Sequence, residues 1–123
     1  MNTVYVRVSK NQFQLRHIDS KIEIVVTPTH PFTTERLLVG DFQSAQQTLK
    51  NAVKQLTRDS GRNRFLSPSP KMVVHPIEMT EGGLSTIEER VFLELAHGAG
   101  AYKAKVWVGF MLNDAEVSAL LNT

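Results

Sequence analysis

A chain of 123 residues, 41% hydrophobic and 21% charged, is sized and composed for a single soluble domain with a core of its own. No run approaches the roughly 20 apolar residues that a membrane span needs, and the absence of cysteine excludes disulfides, thiolate nucleophiles and thiolate metal ligands. The net charge of +2 supplies no global field for nucleic acid, although residues 1–71 carry 11 Lys/Arg against 5 Asp/Glu and residues 72–123 carry 3 against 7.

Three strand signals come first. Val4, Val6 and Val8 alternate with Thr3, Tyr5 and Arg7, the period of a half-buried strand. After a turn at Ser9-Lys10-Asn11, Phe13, Leu15 and His17 alternate with Gln12, Gln14 and Arg16. A second turn at Asp19-Ser20 leads to Ile22, Ile24 and Val26. Such short turns join antiparallel neighbours, which predicts a meander that ends at Thr27-Pro28.

TPTHPFTTERLLVG then reads as a connector with a short extended piece at Arg36–Val39. Asp41 stands where a helix N-cap belongs, and Phe42, Ala45, Leu49, Ala52, Val53 and Leu56 recur at three- and four-residue steps behind it. This helix is expected to end near Arg58, before the polar loop RDSGRNRFLSPSP.

Met72-Val73-Val74 is too short for a helix and rich in β-branched residues, which predicts a strand buried on both faces. Gly82-Gly83 breaks the chain. Ser85 and Glu88 have the spacing of a capping box for a helix whose buried face would hold Ile87, Val91, Leu95 and Ala99, with Phe92 beside it. Gly98 or Gly100 would supply the left-handed C-terminal residue. A final strand is expected over Ala104–Phe110, and then a short helix capped by Asn113 or Asp114 and buried through Val117, Leu120 and Leu121.

The order β-β-β-α-β-α-β-α implies an α/β fold with a mixed five-stranded sheet. An antiparallel β1-β2-β3 meander merges into parallel βαβα units, the layout of a ribonuclease H-like or actin-like subdomain. Residues 1–123 form one domain in this scheme.

From Asp41 onward the chain resembles the first subdomain of MreB, the bacterial actin homologue that organises rod shape. The residues concerned are Ser85-Thr86-Ile87-Glu88-Glu89-Arg90 and Ala99-Gly100-Ala101. It resembles more specifically, and over nearly its whole length, the YjaA-type small proteins of enterobacteria. That likeness rests on Glu78-Met79-Thr80-Glu81-Gly82-Gly83-Leu84-Ser85, continuing to Arg90. The two resemblances imply a MreB-like, actin-type domain with a role in stress response or in cell-shape and envelope maintenance.

Catalytic chemistry finds little support. Actin-like ATPases carry an aspartate and glycines in the first hairpin, whereas Val6-Arg7-Val8-Ser9-Lys10-Asn11 has neither. The family's water-positioning glutamate matches Glu88, which the capping box already employs. No carboxylate lies between Glu94 and Asp114, where the family has a pair, and the second wall of a nucleotide cleft has no counterpart. A two-metal nuclease would need a carboxylate on the first strand, and Val4–Val8 offers none. His75 and His97 match no metal spacing and are expected to be structural, as are His17 on its strand and His30 in its loop. Glu78 and Glu81 read as solvated loop residues, and no serine has a base partner.

The sequence thus predicts a non-enzymatic protein-interaction domain without catalytic residues, cofactor or metal, located in the cytoplasm because its N-terminus lacks a secretory signal. A protein partner is expected, with self-association as a further expectation. The alternative is a nucleic-acid-binding module using the basic loop 58–65, in which Arg58, Arg62 and Arg64 would meet phosphates and Phe65 would stack on a base.

Overall fold

A computed structural model describes residues 2–61 and 69–123. Its elements are β1 (Thr3–Ser9), β2 (Gln12–His17), β3 (Ile22–Val26), α1 (Phe42–Asp59), β4 (Lys71–Pro76), α2 (Thr86–Gly98), β5 (Lys103–Val106) and α3 (Asp114–Leu121). The five strands form one mixed sheet in the order β3-β2-β1-β4-β5. β2 is antiparallel to both β1 and β3, while β4 is parallel to β1 and β5 is parallel to β4. The expected meander and crossover units are present.

The alternation of β1 and β2 selects which side chains meet the first helical layer. Val4, Val6, Val8, Phe13 and Leu15 point into the main core, where Phe13 stacks on Phe32 of the connector with centroids 4.8 Å apart. α1 adds Ala45, Leu49, Ala52, Val53 and Leu56, the repeat the sequence predicts, and α2 adds Phe92, Leu95 and Ala96. Full burial of each large aliphatic chain here contributes about 1.5–3 kcal/mol before entropy is charged against it. The second face carries a smaller core of Tyr5, Val73, Val117 and Leu121 under α3.

Five expectations need correction. β1 is not half-buried: Tyr5 is 3% exposed because α3 covers the second face at that point. The buried side of α2 runs through Phe92, Leu95, Ala96 and Ala99, and Ile87 is 75% exposed. Ile87 lies in the first turn, off the line that faces the sheet, so its apolarity alone did not mark the buried side. β5 stops at Val106 rather than Phe110, as Gly109 takes φ +143° and Phe110 turns outward. The Arg36–Val39 segment is no strand, yet Leu38 and Val39 pack into the core beside Phe32. Phe42 begins α1 but lies at the surface.

The caps are built as expected. Asp41 accepts from Ser44 N at 3.1 Å. Ser85 and Glu88 complete both halves of a capping box at 3.1 Å each. α3 is capped by Asn113, not Asp114, with Glu116 reciprocating. Gly100, at φ +111°, is the left-handed residue after α2, while the space beside Gly98 is filled by the Gln46 side chain.

Candidate functional site

The second sheet face is only partly roofed. α3 packs on β4 and β5, so Arg7, Gln14, Arg16, Glu23 and Val25 of the other strands form an open polar field. Where this field meets the start of α3, Tyr5, Arg7, Arg16, Glu23, Leu112, Asn113 and Asp114 line a cleft of about 380 Å³.

Tyr5 and Leu112 of its lining belong to a hydrogen-bonded relay that runs on into the interior. Tyr5 Oη lies 2.6 Å from His75 Nδ1, and His75 Nε2 lies 3.1 Å from the Gly109 carbonyl. A carbonyl can only accept, so Nε2 carries the ring proton and Nδ1 accepts from the tyrosine hydroxyl. That hydroxyl in turn accepts from Leu112 N at 3.3 Å. The rings stack with centroids 5.9 Å apart. Burial holds the His75 pKa below its ordinary value, an effect that the Gly109 hydrogen bond partly opposes and the Arg7 charge reinforces. Burial likewise pushes the Tyr5 pKa up, against the Leu112 hydrogen bond.

The walls are ion pairs. Arg16 donates from Nε to Asp114 Oδ1 at 2.8 Å and from Nη2 to Oδ2 at 3.0 Å, a two-pronged contact, and Lys21 Nζ reaches Oδ2 at 3.2 Å. The Arg16 hydrogen bonds, helped by Lys21, hold the Asp114 carboxyl down to about 2, and the same contact raises the Arg16 pKa. Glu23 accepts from Arg7 Nη2 at 3.2 Å and lies 3.5 Å from Arg16 Nη1. Arg7 Nε is buried and, among the described residues, has no hydrogen-bond acceptor.

The histidines of the 75–101 stretch do not converge. His75 belongs to the Tyr5 relay on the second face, while His97 sits on α2 of the first layer with Nδ1 2.9 Å from the Ala101 carbonyl. His17 is buried between Ser20 Oγ at 2.6 Å and Asn2 Oδ1 at 2.9 Å, and His30 is an exposed connector residue. Glu81 is exposed and Glu78 half-buried. Among the described residues no three His, Asp or Glu side chains gather to hold a metal ion, and no described helix is long and apolar enough to cross a membrane. Of the basic-loop residues, Arg58 is exposed in the last turn of α1, whereas Arg62, Arg64 and Phe65 lie outside the described residues.

Sequence reasoning missed Tyr5, Arg16 and Asp114 as a group. One signal was present: a strand like β4, buried on both faces, requires a cover on each, and that cover extends to its neighbour β1.

No family model matches the chain. It is 35% identical over 127 residues, covering 98% of each chain, to a protein of Escherichia coli (strain K12) described as "Uncharacterized protein YjaA".

Proposed function

The chain belongs to the YjaA family of bacterial proteins, and from that premise we propose that it is a non-enzymatic protein-interaction domain which engages a partner through the open cleft beside α3. The partner presents a carboxylate, from an acidic side chain or a chain terminus, to Arg7. The observation that carries this reading is the Arg7 guanidinium. One nitrogen is committed to Glu23, and the buried Nε has no acceptor among the described residues. The side chain is 21% exposed and lines the cleft, so an incoming carboxylate meets the outer edge of the guanidinium in a charge-assisted contact and does not have to reach the enclosed Nε. Arg16 has less to offer, because Asp114 holds two of its nitrogens.

The layout is ribonuclease H-like, an actin-type subdomain of the MreB kind that no longer handles nucleotide. The strand order β3-β2-β1-β4-β5, with β2 alone reversed, supports that layout. Loss of nucleotide chemistry is supported by what the corresponding groups do instead. In the first hairpin, Asn11 N donates to Thr33 Oγ1 at 2.8 Å, and Asn11 Oδ1 accepts from Phe32 N and Thr33 N. The turn that would cradle phosphate is thereby bonded to the connector. Glu88, matching a water-positioning carboxylate, caps its own helix. The setting implied by the resemblance is stress response or maintenance of cell shape and envelope.

Affinity capture tests the reading, comparing wild type with Arg7→Gln and with the control Lys50→Gln on exposed α1. A protein retained by wild type and control, but reduced at least tenfold by Arg7→Gln, is the expected result. Equal capture by all three would sink the cleft as the docking surface. A rise in Tm with magnesium-ATP would overturn the nucleotide-free reading, since a ligand of the native state alone must stabilise it.

A further inference from the structure

The sheet has two edges, and they are finished differently. β5 is four residues long and carries Lys103 and Lys105, the charged residues that discourage strand addition. β3, reading IEIVV, has five residues with neither lysine nor proline. Its hydrogen-bonding direction follows from the register. Ile18 N donates to Thr3 O, so even-numbered residues of β2 bond to β1 and Phe13, Leu15 and His17 bond to β3. Their partners Val26, Ile24 and Ile22 therefore turn their backbone groups inward. The N–H and C=O groups of Glu23 and Val25 point away from the sheet, and Val25 is 54% exposed.

Beside this edge runs a groove of about 260 Å³ between β3 and α1. Its helical wall is Ser44, Gln47, Thr48, Asn51 and Gln55, hydroxyls and amides that both donate and accept, with no Lys, Arg, Asp or Glu among the lining residues. The charges of α1 at Lys50, Lys54 and Arg58 lie elsewhere on the helix.

We propose that β3 pairs with β3 of a second copy of this chain, antiparallel about a two-fold axis through Ile24, to make one continuous sheet across the dimer. In that register Glu23 of each copy stands opposite Val25 of the other, and each such pair exchanges two backbone hydrogen bonds. The two Glu23 carboxylates are diagonal rather than opposed, and each is already balanced by Arg7 and Arg16 of its own copy. An axis perpendicular to the sheet leaves both α1 helices on the same face. Two identical amide rows then meet, and an isologous contact needs such self-complementary chemistry. A second copy fits this edge better than a charged peptide, for which the described lining offers no Lys, Arg, Asp or Glu and only His30 as a titratable group. The pairing uses the backbone edge, not the Arg7 cleft, so it stands or fails independently of the proposed docking surface.

Sedimentation equilibrium of the purified chain over a wide concentration range is the test, together with Val25→Pro. Proline there removes an outward N–H and leaves the β2 ladder intact, because residue 25 does not bond to β2. Dimerisation should weaken roughly tenfold or more, because two symmetry-related backbone bonds are lost together. Far-UV circular dichroism and Tm should report a folded variant. The chain has no cysteine, so Ile24→Cys, placed at the axis, should oxidise to a covalent dimer, whereas Tyr102→Cys should not. A monomer at every concentration overturns the proposal. So does a dimer that Val25→Pro leaves unchanged, or an edge occupied by a co-purifying peptide of another protein.

Discussion

Tyr5 Oη and His75 Nδ1 lie 2.6 Å apart between parallel strands β1 and β4. The two residues are 70 positions apart in sequence and together fasten the irregular segment after β5 to the sheet, through Leu112 N at one end and the Gly109 carbonyl at the other. A segment with few regular backbone bonds of its own is held by two side chains, and it delivers Asn113 and Asp114 to the mouth of the cleft.

Removing the tyrosine hydroxyl should therefore loosen more than one contact. Tyr5→Phe keeps the ring but leaves His75 Nδ1 and Leu112 N without their partner. Each unmatched buried group costs about 1–3 kcal/mol, so a loss near the top of that range is expected. Urea unfolding followed by circular dichroism measures it. A change within about 0.5 kcal/mol, the scale of surface substitutions, would show that the relay does not bear on stability.

The same pair predicts a pH dependence. The folded-state pKa of His75 is lowered, mainly by burial, so the unfolded chain binds its proton first as pH falls. The neutral ring's contribution is complete above the unfolded value of about 6.5 and is lost progressively as pH drops from there through the folded pKa. The difference in unfolding free energy between wild type and His75→Gln should then shrink on acidification, with a limiting slope of roughly 1.4 kcal/mol per pH unit. A difference constant from pH 8 to pH 5 would contradict this sign.

Asp114 behaves in the same direction over a lower range. Its carboxyl is held to about 2, so its contribution is complete above the ordinary carboxylate value and is lost progressively as pH falls from there through about 2. The group is 29% exposed and its partner Arg16 26%, so solvent screens the pair. Asp114→Asn should cost no more than about 1 kcal/mol near neutral pH, and less in high salt. Chemical denaturation in low and high salt provides the comparison.

Periodicity revealed the elements whose burial is one-sided and locally patterned. Ala45, Leu49, Ala52, Val53 and Leu56 marked α1, and alternating apolar residues marked β2, β3 and the first face of β1, whose second face is buried as well. The capping residues were legible because a cap is a local arrangement of three or four positions. The second face was not legible, because nothing local to Val4–Val8 reports that α3, more than a hundred residues later, will cover Tyr5. Ile87 misled for a related reason. Its apolar chain continues the Val91-Leu95 stripe, but the sheet lies along Phe92, Leu95 and Ala96, and Ile87 instead borders a small surface recess with Leu37 and Leu38. The Arg16–Asp114 contact spans 98 positions and has no sequence signature.

The role of Glu88 yields the sharpest separation between structure and chemistry. Its side chain accepts from Ser85 N while Ser85 Oγ accepts from Glu88 N. A glutamine preserves the acceptor and serves in capping boxes, so Glu88→Gln should cost only the attraction of a carboxylate to the helix N-terminus, about 0.3–1 kcal/mol. Glu88→Ala loses that term and the hydrogen bond, and should be the more destabilising of the two by roughly 0.5–1.5 kcal/mol. Ser85→Ala should cost about 1 kcal/mol, and the double variant should lose less than the sum of the single ones because each residue serves the other. Urea unfolding of the four proteins closes the cycle. Strict additivity would show that the two halves of the cap act separately, and a glutamine as damaging as alanine would mean that the carboxylate has a duty beyond capping.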